Sequence, residues 1–327
     1  MKHKILYGFC ILLFLSVLPA MAKTDTFPSG SFTFVTGFGV AGNSDRMARV
    51  MAPFFSHASG QLAVIDSRIG GSGNMAAHYV LEKPADGYTI LASSFSPYIA
   101  LNTLHKNSGY TLDDLAFINI QWQDSELIAA PAHSPYRSLA DIINRLRKEP
   151  GSISAAVVRN STGHLLLKMI QKKAGLAPGS IHLVFCHSDE VVRRMALGSQ
   201  VDIIAVSSMG TEFLGKMLHP IAISCEKRDP AWDTPTVKEA LAPLGLEIPL
   251  IPGVLRGFAV SADVKRNYPE HFDTLVEMFR QATLNPNAQK LFQEIHMGKQ
   301  WLGPEKSQNL MLKNQKEIEK YKELIGE

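Results

Sequence analysis

The feature that most constrains this chain is an alternation of short strand-like runs with helical periods, which runs through once and then starts again. "SFTFVTGF" reads as a strand, and "SDRMARVMAPFF" then places Met47, Val50, Met51 and Phe54 at i, i+3, i+4 and i+7, one face of a helix. "LAVID" and "YTILASS" follow as strands, with "NMAAHYVLEK" as the helix between them. After about residue 125 the pattern restarts. "ELIAAP", "SISAAVV", "IHLVF", "VDIIAVSS" and "HPIAIS" are strands, separated by the helical runs "SLADIINRLRKEPG", "GHLLLKMIQKKAG" and "DEVVRRMALG". Strands alternating with helices over short loops specify parallel strands with helices covering both faces. Two such sets give an α/β chain of two lobes, each with a mainly parallel sheet flanked by helices, with a cleft between them. A proline-rich connection (Pro230, Pro235, Pro243, Pro249 and Pro252) leads to "RGFAVSA" and three helical patterns, "PEHFDTLVEMFRQATL", "PNAQKLFQEI" and "EKSQNLMLKNQKEIEKYKELI". The expected division is lobe 1 from residues 23–125 with 252–327, and lobe 2 from 126–251.

The first 22 residues address the compartment. Lys2, His3 and Lys4 precede the apolar run "ILYGFCILLFLSV", and "AMA" ends the stretch with small residues. This is the pattern of a secretory signal peptide cleaved after Ala22; a membrane span needs ~20 apolar residues and this run is shorter. The mature chain is then exported to the periplasm. Losing Lys2 and Lys4 lowers the formal charge from +3 to +1, and the remaining Lys and Arg form no stripe, which argues against nucleic acid as a partner. Cys186 and Cys225 are the only mature cysteines, too few for a disulfide framework, so either a bridge or two separate thiols is compatible with the sequence.

Six of the inferred strands are followed by loops that carry Gly or Ser: 37–45 (GFGVAGNSD), 68–77 (RIGGSGNMAA), 93–96 (SSFS), 159–164 (RNSTGH), 186–190 (CHSDE) and 207–210 (SSMG). In open α/β sheets ligands gather at these carboxyl ends of strands. The second loop contains G-x-G-x-x-A, but it follows the second strand and not the first, and the next strand ends in serines where a ribose-binding acid is needed. The nucleophile pattern G-x-S-x-G fails because Asn74 stands where the last Gly belongs. An anion cradle built from backbone N–H groups at a helix start remains, beside a plain tight turn. Six such loops shared by both halves describe a cleft lined by hydroxyls and amides, with few charges, suited to a small polar or anionic solute. There is no H-E-x-x-H and no His/Asp pair at metal-ligand spacing, so neither a metal nor a cofactor is expected. His187 beside Cys186 invites a nucleophile–base reading, although neighbours on a strand end point apart. Asp45 has helix capping as its simpler role.

At these residues the chain resembles the substrate-binding proteins of tripartite tricarboxylate transporters, the TctC or Bug family. The resemblance covers nearly all of the mature chain in order, from "VTGFGVAGNSDRMARVMAPFF" and "RIGGSGNMAA" through "KPADGYTILASS", "STGHLLLKMIQKKAG" and "LGSQVDII" to "CEKRDPAWDTPTVKEA". It implies a two-lobed periplasmic binding protein fold (type II-like) and a receptor, not an enzyme, that closes on a small carboxylate and presents it, as a monomer, to integral membrane transporter subunits. Carried over by position, the ligand contacts would be Gly42, Asn43, Ser44, Asp45, Gly71, Ser72 and Ser93 in the first lobe. In the second they would be Thr162, His164, His187 and Ser207. Departures from the family pattern occur at Gly39-Val40, Ile69, Phe185-Cys186-His187-Ser188 and Val206-Ser207, most of them in the second lobe, where the far end of a ligand is read. The competing readings are an exported sensor subunit signalling through a membrane receptor, and an exported hydrolase using Cys186 or Ser72.

Overall fold

A computed structural model describes residues 27–105, 107–251 and 253–325. The leader assigned to residues 1–22, with its cleavage position, and Pro252 in the connection lie outside the described residues. The strands are β1 (Phe32–Thr36), β2 (Ala63–Ser67), β3 (Thr89–Ser96), β4 (Leu115–Gln123), β5 (Glu126–Pro131), β6 (Ile153–Val158), β7 (Ile181–Cys186), β8 (Ile203–Ser207), β9 (Leu218–Ser224) and β10 (Leu255–Ser261). The helices are α1 (Asn43–Ser59), α2 (Asn74–Glu82), α3 (Tyr98–Asn102), α4 (Leu139–Lys148), α5 (Thr162–Lys173), α6 (Asp189–Leu197), α7 (Val237–Leu241), α8 (Ala262–Asn267), α9 (Pro269–Leu284), α10 (Pro286–Glu294) and α11 (Gly303–Glu319).

The strands form two five-stranded sheets of matching design, in the orders β2-β1-β3-β10-β4 and β7-β6-β8-β5-β9. In each, three neighbouring strands pair in parallel, as right-handed βαβ connection favours. The fourth position is taken by one strand that runs against both neighbours, β10 in the first sheet and β5 in the second. Those two antiparallel strands are also where the chain crosses between lobes. Only Asp124 and Ser125 separate β4 from β5, and the return path enters β10 at Leu255. The two crossings lie against each other: Asp124 N–H donates to the Val254 carbonyl at 3.1 Å, and a Cβ on Gly253 would collide with the Asp124 carbonyl.

The first sheet is sealed on one face by aromatic packing that the helical period of α1 provides. Met47, Met51 and Phe55 are buried at i, i+4 and i+8, and Phe55 meets Phe32, Phe34 and Phe279 with ring centroids 4.5–5.2 Å apart. Phe279 comes from α9, so the C-terminal helices return to the first sheet. β4 is its edge strand, and its edge is covered as exposed edges generally are. The Asn119 side chain donates to the Gln300 carbonyl and accepts from Leu302 and Gly303, Gln121 donates to the Gly298 carbonyl, and Gln300 N–H donates back to the Gln121 carbonyl.

Gly257 is the tightest point of the first sheet. It lies in β10 between β3 and β4, and a Cβ there would strike the Asn119 carbonyl and Ile120 Cα of the neighbouring backbone. Overpacking of this kind costs about 1–3 kcal/mol. Gly257→Ala is expected to lower the unfolding free energy by that amount, read as a lower urea midpoint at an unchanged m-value.

Candidate functional site

The cleft between the two sheets is lined from the first lobe by Phe38, Gly39, Gly42, Asn43, Ser44, Ser94, Tyr98 and Arg256. From the second it is lined by Val158, His187, Ser188, Asp189, Glu190 and Arg193. The space, including its opening to solvent, is about 440 Å³. α1 begins here. Its N-cap is Gly42, which has no side chain to cap with, and the first i→i−4 bond of the helix runs from Arg46 to the Gly42 carbonyl at 2.8 Å. The amides of Asn43, Ser44 and Asp45 therefore have no protein acceptor among the described residues. A 17-residue helix turns its positive end and three N–H donors to the cleft.

Two hydroxyls and one cation stand beside those donors. Ser44 and Ser94 share a hydrogen bond of 2.8 Å, both buried. Ser94 pairs with Arg256 in the β3–β10 ladder, so both side chains leave the sheet on the same face. The Arg256 guanidinium is 2% exposed. It donates to Asp124 at 3.2 Å and to Ser207 Oγ at 3.3 Å, stands 3.9 Å from Asp189, and stacks 4.7 Å from the Trp122 ring centroid; its Nε has no partner.

Asp124 is the partner that makes a buried arginine tolerable. Its carboxyl accepts from the Ser125 and Met209 amides and the Ser207 and Ser208 hydroxyls as well as from Arg256. Burial pushes this carboxyl above its ordinary range, and Arg256 and the donors oppose the push. The lobes also touch directly, through Asn43 Nδ2 to Ser207 Oγ at 3.4 Å and Trp122 Nε1 to Met209 Sδ at 2.7 Å. Arg46, over the other part of the Trp122 ring at 5.4 Å, has its pKa lowered by burial and by the neighbouring Arg256 and Arg193.

Of the expected ligand contacts, Gly42, Asn43, Ser44 and His187 line the space. Asp45 is fully buried and closes its own loop, accepting from Ala41 N–H at 3.0 Å and from Arg49 Nε at 2.8 Å. Ser93 is buried on the opposite face of β3, and its neighbour Ser94 faces the cleft. Gly71 and Ser72 occupy the adjacent turn, whose carbonyls accept from Asn102 Nδ2 at 3.1 and 3.3 Å. That turn is pressed against the first glycine loop, since a Cβ on Gly37 would meet Gly73 Cα at 2.7 Å, and the Phe38 ring lies between it and the lined space. Ser72 adopts φ 52°, a conformation of the left-handed region. Thr162 and His164 are buried at the start of α5, with Thr162 Oγ1 and His164 Nε2 unpartnered. His164 Nδ1 accepts from Asn160 N–H at 3.3 Å; burial, helped by Lys168 and Arg159, pushes its pKa down to about 4, so the ring is neutral. Ser207 is inside the Asp124 network.

The cleft is thus more charged than its loops suggest. The signals were a lone Arg in "VLRGFAV" and the acids in "WQDSELI", because a charge inside an apolar strand has to be paired. Cys186 does not engage His187. Its Sγ contacts the Val184 carbonyl and Met195 Sδ, burial pushes the thiol up, and Cys186 and Cys225 are both free thiols. That arrangement supplies no activated nucleophile. No metal-binding cluster occurs among the described residues, and no helix among them is long and apolar enough to cross a membrane.

Glu126 is the most perturbed acid of the region. It is 2% exposed at the start of β5, with Oε1 so close to Gly163 that a Cβ there would collide with it. Burial first, then the charges of Asp189 and Asp124, hold its pKa well above the ordinary 4.5, while Arg256 and the Gly163 amide pull the other way.

Two lobes of mixed α/β sheet with an open helix start and a buried arginine in the cleft between them define a solute-binding receptor. The model of the tripartite tricarboxylate transporter family receptor, TctC, matches residues 47–327, and the chain belongs to that family of receptors, not to an enzyme family. It is 26% identical over 252 residues to the UPF0065 protein in the tcbD-tcbE intergenic region of Pseudomonas sp. (strain P51), covering 76% of this chain and 74% of that one. The fold is shared with R. palustris Rpa4515 with adipate, at TM-score 0.77 and 24% identity, over 92% of this chain and 98% of that one. It is shared also with MatC (Rpa3494) from Rhodopseudomonas palustris with bound malate, at TM-score 0.75 and 18% identity, over 91% and 100%.

A raised native pKa means that the folded protein keeps a proton which the unfolded chain releases above about pH 4.5. The Glu126 contribution to stability is therefore full below that pH and is lost as pH rises towards the folded pKa. Glu126→Gln removes the titrating group while Asp124, Asp189, Arg256 and Tyr98 around it are kept. The melting temperature of the variant relative to wild type is expected to rise as pH increases above about 4.5; a difference independent of pH would contradict the assignment.

Proposed function

We propose that this chain is an extracytoplasmic receptor that captures a small organic acid between lobe 1 (residues 23–125 with 252–327) and lobe 2 (126–251) and delivers it, as a monomer, to the membrane subunits of a tripartite tricarboxylate-type transporter. The leader through Ala22 would be removed on export. The observation that carries this reading is the uncapped start of α1, with its three free amides, beside the Ser44–Ser94 hydroxyl pair and Arg256 on one wall. Backbone donors at a helix start and an arginine are the groups that hold a carboxylate best in a partly dry site. Adipate and malate in the two structural neighbours are acids of the kind such a wall suits.

No group near the acid is set up to change it. The α1 wall offers donors and fixed charge, the one imidazole lining the cleft among the described residues is His187 on the opposite side, and burial pushes the pKa of the Cys186 thiol up. Binding followed by closure of the lobes is the whole of the chemistry. Closure brings His187, Ser188 and Asp189 over the bound acid and excludes water, which strengthens every charge-assisted bond inside.

Hydrogen bonds to a charged group contribute about 1.5–3 kcal/mol each. Ser44→Ala and Ser94→Ala are each expected to weaken binding of the best acid in a carboxylate panel by about ten- to a hundredfold in calorimetry. Their melting temperatures without ligand should stay within a few degrees of wild type. Unchanged affinity in both variants would remove the α1 wall as the carboxylate site.

A further inference from the structure

Resting on the carboxylate reading above, we propose that Glu126 occupies, from within the protein, the donor site at the start of α5 that a ligand's second carboxylate would need, and so makes the cleft selective for acids with one carboxylate.

α5 is a 12-residue helix that starts just beyond Val158, a residue of the cleft wall, so its N-terminus is the natural counterpart in lobe 2 of the open α1 start in lobe 1. The two ends are treated differently. Ser161 caps α5 by accepting from His164 N–H at 3.1 Å, and the Glu126 carboxyl is set against the Gly163 backbone, whose amide favours its charged form. Glycine at 163 is what lets Oε1 approach the helix so closely. The occupant is fixed by the fold, because β5 places Glu126, Ile128 and Ala130 on the face that α5 covers. Burial and the neighbouring acids raise its pKa, which favours the uncharged form beside the helix start.

The rest of the far wall offers a second carboxylate nothing better. α6 starts there too, but Ser188 caps it by accepting from Val191 N–H at 3.3 Å, and its first turn carries Asp189 and Glu190. Arg193 donates to Thr211 Oγ1 at 3.3 Å, and Arg256 is engaged by Asp124 and Ser207. A tail of hydroxyl or hydrocarbon groups meets Phe38, Tyr98 and His187 without penalty, whereas a second negative charge meets the acids Asp189 and Glu190.

The test uses matched acids of equal length, hexanoate against adipate and butyrate against succinate, titrated into the full mature protein. Wild type is expected to prefer the monocarboxylate of the better pair at least tenfold. Glu126→Gln, which still fills the space against Gly163, should keep that preference. Glu126→Ala should gain at least tenfold for the dicarboxylate with little change for its partner. A wild-type preference for the dicarboxylates, or an alanine variant with the wild-type ratio, would overturn the proposal. A second measurement is independent of the cleft: acetate should raise the melting temperature of Glu126→Ala by more than that of wild type or Glu126→Gln, because it refills the site at α5. If wild type binds no carboxylate, the proposed function falls and the acetate result alone decides the place of Glu126. An equal acetate effect in all three proteins then counts against it. Should the alanine variant not fold, Glu126→Asp, one methylene shorter, carries both readouts.

Discussion

The buried pair of Arg256 and Asp124 is the interaction on which the arrangement of this receptor depends. Taking either charge out of water alone is costly, and breaking a buried pair by removing one member costs about 3–5 kcal/mol. Here the pair sits where the two lobes are joined. Asp124 belongs to the first crossing and Arg256 follows the second, and the Ser207–Met209 turn of lobe 2 closes around the carboxylate. The pair therefore does two things with one geometry. It ties three chain segments into a junction, and it holds a guanidinium at the floor of the cleft, where an acid bound at α1 can use its positive field.

From that junction the two lobes diverge although their sheets share one topology. The α1 start is left open by Gly42, the α5 start is filled by Glu126, and the α6 start is capped by Ser188 and made acidic by Asp189 and Glu190. The same element, a helix N-terminus at the carboxyl end of a strand, is thus a donor site in one place and a closed surface in two others. The resulting cleft is positive on its first-lobe wall and negative on part of its second, a polarity that orients an incoming acid before any close contact forms.

Much of the fold was legible because its parallel core writes itself as apolar runs with turn residues between. "LAVID", "SISAAVV" and "VDIIAVSS" became β2, β6 and β8, and α9 follows "PEHFDTLVEMFRQATL" residue for residue. β4 was not legible. Asn119 and Gln121 interrupt its apolar pattern, and they do so because they hold the segment around Gly298–Gly303, a partner nearly 180 residues away that no local pattern reveals. α3 and α8 are too short to establish a period. Within the cleft, the loops at 37–45 and 186–190 pointed to Gly42, Ser44 and His187, while the choice between Ser93 and Ser94 turned on the phase of one strand. Arg256, Asp124 and Glu126 were out of reach as a group, since each explains the others only once β4, β5 and β10 are brought to one point.

The contact between the two crossings has a mechanical consequence. Two separate connections would let one lobe twist, slide or tilt against the other. Asp124 and Val254 are instead hydrogen-bonded, and Gly253 leaves no side chain between the strands, so the connections move as a single two-ply strap. Such a strap bends across its width far more easily than it shears along its length. A strap of that kind favours one rotation of the lobes, about an axis close to Arg256, over twisting or sliding, so the rim near α1 and α6 would travel farthest.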